Sequence, residues 1–386
     1  MRRIHQQDVK GIVERFEELP DPRRSVNRRH LLVDVIVLSI CGVLAGADGP
    51  TGIEEWAGLN KEWLVKYLKL PNGIPSHDTI GRVLQALDPR AFQECFTAWL
   101  ETLPIDSDDV QVGEPEHYAI DGKTLRRSHD RQADLKPLHL LSVWATERGL
   151  TLGQIATGEK AGESRVIPHL LERVNVEGAV VSIDAAGCQK HIAQAITDGG
   201  GDYLLALKGN QRTLHRSVRE WFQRCLEDDF AAVPVSRFES DSKAHGRKES
   251  HTYYQTRVPD DLKGIKGWSK LKTIGMAIRV CQIEGREQRE ARYFISSLRR
   301  NGPRFARIVR NHWAIENTLH WSLDVTFRED ESRIRERNVA ENMAWLRRLA
   351  LSLIKKHPGK QSMAMKRRMA GWSPRFLMQI LTSKAT

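Results

Sequence analysis

The first hundred residues show apolar positions at the spacing of helices. The longest apolar stretch, "LLVDVIVLSICGVLAGA" from Leu31 to Ala47, is apolar on every side, which is typical of a helix buried in a protein core. It is 17 residues long and contains Asp34, whereas a helix that crosses a bilayer needs about 20 predominantly apolar residues. The pattern therefore predicts a buried core helix rather than a membrane span.

A second helix is predicted in "PSHDTIGRVLQAL", where Pro75 and Ser76 form a helix-start signal. The apolar residues that follow are spaced for one helix face and are Ile80, Val83, Leu84 and Leu87. Two interpretations of this helix stay open. It is either the recognition helix of a helix-turn-helix or a helix that packs in the core.

From about residue 115 the pattern changes to that of short strands. "YAIDG", "GAVVSIDA" and "DYLLALKGN" are apolar enough for buried strands, and "LHLLSVWATERGLTLGQIA" holds two β-rich runs around a turn. Helical patterns in "ESRVIPHLLERV" and "QKHIAQAITDGG" separate the later strands. A hairpin followed by alternating helices and strands predicts an α/β fold, with a mixed sheet and flanking helices.

The pattern from about Asp228 to Arg299 is again that of strands separated by turns, which predicts a β-rich insertion. Helical spacing resumes at "PRFARIVRNHWAIENTLHW" and continues, with breaks, to the end. We predict a helical N-terminal domain, an α/β core in two pieces, the insertion between those pieces, and a helical C-terminal region. These cover residues 1–105, 115–227 with 300–335, 228–299, and 336–386, respectively.

Positive charge is concentrated at the C-terminal end of the chain. The formal net charge is +11, and residues 332–386 alone hold 13 Lys and Arg against two acids, so the rest of the chain is neutral. A basic terminal block favours a polyanionic partner, with nucleic acid ahead of an acidic membrane surface. We therefore expect the basic helical C-terminal region to contact nucleic-acid phosphates.

The cysteines and the N-terminus indicate the compartment. Five widely separated cysteines without a CxxC pair argue against a disulfide framework and a zinc ribbon, and suit a reducing cytoplasm. The N-terminal "MRRIHQQDVKGIVERF" has no apolar segment of the kind that secretory signals carry. We therefore expect a cytoplasmic protein.

Two aspartates end apolar strands. Asp121 closes "HYAID" and is followed by Gly122, and Asp184 closes "AVVSID" and is followed by two alanines and Gly187. Open α/β sheets bind their ligands at the ends of such strands, and small neighbours let a ligand approach closely. The alternative for each aspartate alone is a turn or a helix cap, but two of them in one sheet favour a site.

Glu316 lies in the unusual helical stretch "HWAIENTLHW". His312, Glu316 and His320 stand at i, i+4 and i+8, so an α-helix would carry them on one face. Such a helix can bring the Glu316 carboxylate to the sheet edge that holds Asp121 and Asp184. Three carboxylates are hard oxygen ligands suited to Mg²⁺ or Mn²⁺, and two such ions can clamp a phosphoryl displacement.

Two other interpretations of this helix stay open. The two histidines and the glutamate are potential zinc ligands, but HExxH is absent and positions i and i+8 are too far apart to share one ion without bending. Alternatively, the polar side chains form a buried hydrogen-bonded network without chemistry.

These residues resemble those of the DDE transposases of bacterial insertion sequences, in particular the group of the H-repeat-associated proteins. "FEELPDPRRSVNRRHLLVDVIVLSICGVLAGADGPTGIEEWA" and "PSHDTIGRVLQALDP" are similar to the N-terminal part of that group. "AIDGKTLRRS", "VVSIDAAGCQK", "LLALKGNQ", "HGRKES", "YFISSL" and "RNHWAIENTLHWSLDVTFREDESRIR" are similar to its catalytic core. The order and number of these matches make the resemblance strong, and it covers nearly the whole chain.

The resemblance implies an RNase H-like fold with a β-rich insertion before the glutamate. It implies that Asp121 on the first strand, Asp184 on the fourth strand and Glu316 on a later helix are catalytic and bind two Mg²⁺ or Mn²⁺ ions. It also implies cleavage of transposon ends and strand transfer into target DNA. No ATP would be required, and the chain contains no GxxxxGK[ST] loop.

One part of the family pattern is missing. Related transposases carry Tyr, Arg and Lys at fixed positions around the glutamate, where this chain has Val309, His312 and Leu323. Arg310, His312 and His320 are our candidates to replace the missing phosphate contacts.

Four further basic residues are candidates for DNA contacts. Lys123 and Arg126 follow the first aspartate, Lys208 lies in "LKGNQ" and Arg247 in "HGRKES". The alternatives are a plain turn and cap for "LKGNQ" and a solvated hairpin tip for "HGRKES". Asp324 is a weaker candidate for the third acid.

The expected partners are the terminal inverted repeats of an element and its target DNA. We expect a homo-oligomer to bind this DNA in the nucleoid, and we expect no membrane partner. Two alternatives are a domesticated, immobile DNA-binding relative and a structure-specific nuclease of the same fold.

Overall fold

The computed structural model of the chain describes residues 13–101 except 15, 114–157 except 131, 162–244, 247–283 and 286–382. Its N-terminal part is helical, as predicted. The helices are α1 (Leu32–Leu44), α2 (Pro50–Leu59), α3 (Lys61–Leu64), α4 (His77–Ala86) and α5 (Pro89–Glu101).

Helix α1 is the buried core helix that its composition predicts. Every residue of α1 is buried, including Asp34, whose Oδ2 accepts a hydrogen bond of 2.9 Å from the backbone N–H of Leu70. A partner of this kind offsets the cost of burying a polar group. None of the described helices combines the length and apolarity that crossing a bilayer requires.

Helix α4 starts where the sequence indicates. The Ser76 side chain accepts a hydrogen bond from the N–H of Thr79, which caps the helix. The apolar face of α4 is buried in the core, while Arg82 and Gln85 on its outer face are exposed. Base recognition by this outer face stays a prediction.

A nine-stranded sheet forms the centre of the molecule. Its strands run in the order β3-β2-β1-β4-β5-β9-β8-β7-β6, with β1, β4 and β5 parallel and the other neighbours antiparallel. This arrangement, with β1 and β4 side by side at the centre, confirms the predicted mixed sheet of an RNase H-like α/β fold. The strands are β1 (His117–Leu125), β2 (Leu138–Ala145), β3 (Leu150–Thr157), β4 (Val180–Ile183), β5 (Asp202–Leu207), β6 (Val235–Ala244), β7 (Arg247–Arg257), β8 (Thr273–Ile283) and β9 (Arg286–Ser296).

The predicted β-rich insertion supplies strands β6 to β9, and these strands extend the central sheet. Strand β9 pairs antiparallel with β5, from Leu204 opposite Ser296 to Leu207 opposite Tyr293. The pairing satisfies the backbone groups along the edge of β5, which would otherwise be an open edge. The sequence predicts the strands of the insertion but not that they join the sheet.

Helices cover both faces of the sheet. One face packs against α6 (Glu163–Leu171), α7 (Lys190–Asp198) and α8 (Arg212–Glu227). The other face packs against α9 (Gly302–Ala314) and against a long helix farther along the chain, α11 (Arg337–Lys356). The other C-terminal helices are α10 (Trp321–Val325), α12 (Met363–Trp372) and α13 (Pro374–Thr382).

The C-terminal helices share one apolar core with the N-terminal helices. Trp345, Leu349 and Leu353 of α11 belong to the same buried cluster as α1 and α5. Helix α11 therefore lies between the N-terminal helices and the sheet. The predicted domain boundaries themselves stay predictions.

Four of the basic residues of the C-terminal region are internal, which corrects one expectation. Arg347, Arg348, Lys366 and Arg367 are all buried. The Arg367 guanidinium donates to the carbonyl oxygens of residues 43, 47 and 326, at distances between 2.6 and 3.1 Å. These include carbonyls at the C-terminal end of α1, which lack partners within the helix. The expectation that this region uses its charges on DNA phosphates is wrong for these four residues.

The internal role of Arg367 can be tested against its exposed neighbour. We expect Arg367→Ala to lower the free energy of unfolding by about 2–3 kcal/mol, because three carbonyl groups each lose a donor and two of these hydrogen bonds are buried. Arg368 is exposed, and we expect Arg368→Ala to leave unfolding unchanged. Urea unfolding followed by circular dichroism measures both variants, and equal behaviour of the two would contradict the assignment.

Candidate active site

Asp121 and Asp184 are neighbours because of strand pairing. Strands β1 and β4 run parallel with Ile120 opposite Ile183, so the next residue along each strand is the aspartate. Paired strands lie about 4.8 Å apart. The sheet therefore brings together two carboxylates that are distant in the sequence.

The turn after β4 fixes the Asp184 carboxylate. Its Oδ1 accepts hydrogen bonds from the backbone N–H groups of Ala186 at 2.9 Å and Gly187 at 3.3 Å. A Cβ atom at Gly187 would lie 2.3 Å from Cγ2 of Ile183, so the turn needs a glycine to pack this closely. One oxygen of Asp184 is thus held by the turn.

The "LKGNQ" segment braces the same turn from the neighbouring strand. The side chain of Asn210 donates to the carbonyl of Ala185 at 2.6 Å, and that of Gln211 donates to the carbonyl of Cys188 at 3.0 Å. Both hydrogen bonds are made within the protein itself, as the alternative of a plain turn and cap would have it. Lys208, by contrast, is exposed and lines the cleft beside Asp184.

Glu316 is carried by a π-helical turn, Ile315–His320, that follows α9. We expected His312, Glu316 and His320 to lie on one face of a continuous α-helix. This expectation is wrong, because the α-helix ends at Ala314. A π turn widens the helix by one residue and is often found at functional sites. The Glu316 side chain is exposed and lines the cleft that contains the two aspartates.

The two histidines lie on either side of Glu316 and point at the strands. His312 Nδ1 is 2.8 Å from the hydroxyl of Ser182 in β4. His320 Nδ1 is 3.6 Å from Oδ2 of Asp121 in β1. Burial lowers the pKa of His312 to about 4 and that of His320 to about 3. Both imidazoles are therefore neutral at pH 7 and add no positive charge for a phosphate contact.

All three predicted carboxylates line one cleft of about 780 Å³. The cleft is also lined by basic residues, which we call the basic wall and which are Lys208, Arg279, Arg292 and Arg310. Arg279 and Arg292 are paired with Glu249 and Glu290 of the same cleft, so Lys208 and Arg310 supply the net positive charge of this wall. The cleft thus combines a cluster of acids with cations that suit a phosphodiester.

The surroundings of Asp121 disfavour the charged form of its carboxyl group. The pKa of Asp121 is raised to about 7, mainly by burial and also by the nearby charges of Asp184 and Glu316, while a hydrogen bond from the N–H of Gly122 works against the rise. A carboxyl in this position is partly protonated at neutral pH unless a cation is close. The electrostatics therefore favour a bound cation.

The donor set fits a hard divalent cation. Within the described part of the chain, no group of three or more His, Cys, Asp or Glu side chains is placed to enclose and hold a metal ion by itself. Mg²⁺ does not require such an enclosure, because it keeps several waters and is bound by one or two carboxylates together with substrate phosphates. Asp121 and Asp184, with Glu316 on the same cleft, meet this requirement.

Lys123 is not available to a phosphate, which corrects another expectation. Its side chain is 7% exposed, and its Nζ lies 2.7 Å from Oδ1 of Asp324, 2.8 Å from Oδ1 of Asp330 and 3.6 Å from Oε2 of Glu329. The acids come from a segment some 200 positions away in the sequence, so no local pattern indicates them. Asp324, the weaker candidate for the third acid, is the partner of this lysine.

A fully buried ion pair continues from this cluster. Glu329 and Arg348 are both inaccessible to solvent, and Arg348 Nη1 lies 2.8 Å from Glu329 Oε1. Arg348 also donates to the hydroxyl of Ser142, which is the residue of β2 paired with Asp121. The network joins β1, β2, α11 and the segment after Glu316.

No pattern in the sequence indicated the buried pair of His139 and Glu163. His139 Nε2 is 2.6 Å from Glu163 Oε1, and both side chains press against Gly122. A Cβ atom at Gly122 would lie 2.5 Å from the imidazole and 2.6 Å from the carboxylate. This glycine is therefore required for close packing beside Asp121.

Two of the remaining candidates for DNA contacts are at the surface. Arg126 is exposed, with Nε 3.1 Å from Oδ2 of Asp330. Arg310 is exposed on the cleft. Arg247 begins β7, and its side chain lies outside the described residues.

Comparisons with known proteins define the class. The family model described as "Transposase DDE domain" matches residues 101–353, and the model described as "DDE_Tnp_1-associated" matches residues 13–100. The chain belongs to the DDE transposase family. Within it, the chain is 37% identical over 357 residues to the "H repeat-associated putative transposase YhhI" of Escherichia coli, covering 90% of this chain and 91% of that protein.

Two further proteins are similar. The "Putative transposase YncI" of Escherichia coli is 36% identical over 351 residues, covering 90% of this chain and 88% of that protein. The solved structure of the piggyBac transposase synaptic complex with hairpin DNA aligns with 97% of this chain and 77% of its own, at 10% identity and a TM-score of 0.38. A structural similarity of that size carries no conclusion about this chain.

The buried network predicts a specific sensitivity to acid. Burial works to raise the pKa of Glu329, but the charges of Arg348, Lys123 and Arg347 outweigh it and lower that pKa. The stability that Glu329 contributes is therefore complete above the ordinary glutamate pKa of about 4.3 and is lost as pH falls below it. We expect Glu329→Gln to cost about 3 kcal/mol at pH 7 and to flatten this acid dependence.

Glu331 provides the matched control, because its side chain is half exposed. We expect Glu331→Gln to unfold at the same denaturant concentration as the wild type at every pH. Chemical unfolding between pH 3 and 7 compares the variants. If both variants lost the same free energy of unfolding, the buried ion pair would contribute no more to stability than the exposed glutamate does.

Proposed function

We propose that this protein is a metal-dependent DNA transposase that cleaves the ends of its element and joins them to target DNA. One observation carries the proposal. Asp121, Asp184 and Glu316 come from two strands and a helix and line one cleft together with the exposed cations Lys208 and Arg310. The similarity to putative transposases supports the same reaction class.

In this proposal Asp121 and Asp184 hold the metal ions, and Glu316 completes the site. When bound, Mg²⁺ or Mn²⁺ would activate the attacking hydroxyl and stabilise the charge that develops on the phosphate. The turn after β4 holds one oxygen of Asp184 and leaves the other free to bind a ligand. The pairing of β1 with β4 sets the distance between the two aspartates.

The basic wall would hold the DNA backbone against the acids. Lys208 and Arg310 are exposed on the cleft, so their charges are available to phosphate oxygens. Neutral His312 and His320 would orient the active-site walls through Ser182 and Asp121 rather than bind phosphates. They would therefore not replace the charges of the family's missing Arg and Lys.

The partners in this proposal are the terminal inverted repeats and the target DNA. The exposed outer face of α4, with Arg82 and Gln85, is the candidate for base recognition in the N-terminal domain. We further propose that the protein acts as a homo-oligomer on DNA in the cytoplasm.

Replacement of the third acid tests the assignment. We expect Glu316→Gln to leave binding to the element's ends nearly unchanged and to lower cleavage in Mg²⁺ by at least about a thousandfold, because the variant keeps the shape but loses the charge needed for the metal. Asn317→Ala changes the exposed neighbour and should cleave like the wild type. Full cleavage by Glu316→Gln would show that Glu316 is not a catalytic residue.

A strand-transfer assay with labelled end DNA and a plasmid target separates this function from the two alternatives. A transposase yields end cleavage followed by joined products. A structure-specific nuclease would cut without joining, and an immobile DNA-binding relative would bind without cutting. Either of the last two results with the wild type would overturn the proposed reaction.

A further inference from the structure

A second basic surface lies at the end of the sheet opposite to the catalytic cleft. It is a concavity of about 840 Å³ between the end of β7, the start of β8 and the end of β9. Arg257 ends β7, Lys272 precedes β8, and Arg299 and Arg300 follow β9. We call these four residues and the hollow between them the distal basic concavity.

The backbone holds the four cations in place. Val258 donates to the carbonyl of Lys272 at 3.1 Å, and the N–H of Lys272 donates to the carbonyl of Ser296 at 2.9 Å. The N–H of Asn301 donates to the side chain of Gln255 at 2.7 Å. These bonds tie the three chain segments to one another, so the backbone positions that carry the four basic side chains are fixed around the concavity.

The positive charge of the concavity is not neutralised within the protein. All four basic side chains belong to exposed residues, and none has a carboxylate within 4.0 Å among the residues that the structure describes. Asp260 is the single acid among the described lining residues. Other arginines of the insertion are paired with glutamates, namely Arg237, Arg279 and Arg292. Clustered cations without counter-charges favour a polyanionic ligand.

The shape and lining favour the backbone of duplex DNA over a small anion or a single strand. The cations sit on long exposed side chains around an open hollow, rather than on buried donors that enclose one phosphate. The described lining residues include no aromatic ring, whereas single-stranded nucleic acid is bound by stacking on aromatic side chains. Duplex DNA presents one negative charge for each ~1.7 Å of its axis, which suits several cations at once.

The position of the concavity relative to Glu316 fits a contact away from the bond that is cleaved. Arg300 lies just before α9, and Glu316 lies just after it. The 13 residues of α9 span about 20 Å at 1.5 Å per residue. This distance corresponds to about six base pairs at 3.4 Å each.

We propose that the distal basic concavity binds the phosphate backbone of duplex DNA at a second position, outside the catalytic cleft. The proposal rests on the proposed function in that it assumes DNA as the substrate. It assigns Arg257, Lys272, Arg299 and Arg300 to positioning DNA and not to the reaction itself. The contact is independent of sequence, because phosphates carry no base information.

The test is the salt dependence of binding by the full chain to a 40-base-pair duplex. We expect Arg299→Gln/Arg300→Gln to reduce the slope of log affinity against log salt by about 1.8, since each lost phosphate contact contributes about 0.9. The control Arg90→Gln/Arg237→Gln removes the same charge from two exposed arginines that are already paired with Glu94 and Glu239. The control should keep the wild-type slope.

Two results would overturn the proposal. One is a double variant that unfolds at the wild-type temperature and yet keeps the wild-type slope. The other is an equal reduction in the control, which would mean that only net charge matters. If the double variant fails to fold, Lys272→Gln takes its place, with an expected reduction in slope of about 0.9.

Two further measurements separate this proposal from its rivals. Inorganic phosphate that stabilises the wild type but not the double variant, without a change in the DNA slope, would assign the concavity to a small anion and overturn the proposal. Cleavage is read separately. If the wild type cleaves no end DNA, the proposed function fails, while a reduced slope in the double variant still supports the DNA contact.

Discussion

The architecture depends on one buried ion pair, between Glu329 and Arg348. Two charges without solvent access are costly unless each has its partner, so the segments that carry them must meet in one geometry. Arg348 anchors α11 to β2 through Ser142, and Glu329 reaches β1 through Lys123. The same contacts fix the segment that follows the π turn. The walls of the catalytic cleft are therefore held by charges that never reach the cleft.

The site itself has the opposite electrostatic character. Its acids line one cleft, and burial together with the charges of the neighbouring acids raises the pKa of Asp121. A site of this kind is prepared for a ligand that brings positive charge. The basic wall with Lys208 and Arg310 adds a place for phosphate oxygens beside that ligand. The network of buried charges stabilises the fold. In the cleft, the negative charge of the acids would be compensated by a bound metal ion.

The insertion links the catalytic cleft to a second surface. Because β9 pairs with β5, one end of the insertion strands forms the basic wall of the cleft, and the other end forms the distal basic concavity. The strands are continuous between these two surfaces. In the proposals made above, this sheet would hold the DNA at a set distance from the acids.

The sequence by itself determined the local features. Apolar strands ending in Asp121 and Asp184, the buried helix α1 and the β-rich insertion follow from patterns over ten to twenty residues, and they predicted the fold class and the candidate acids. Only the tertiary structure decided which charges are free. Lys123 and Lys208 both follow acids or strands of the core, yet Lys123 is buried among acids and Lys208 faces the cleft. The physical reason is that desolvation and pairing depend on segments hundreds of positions apart, which no local pattern can show.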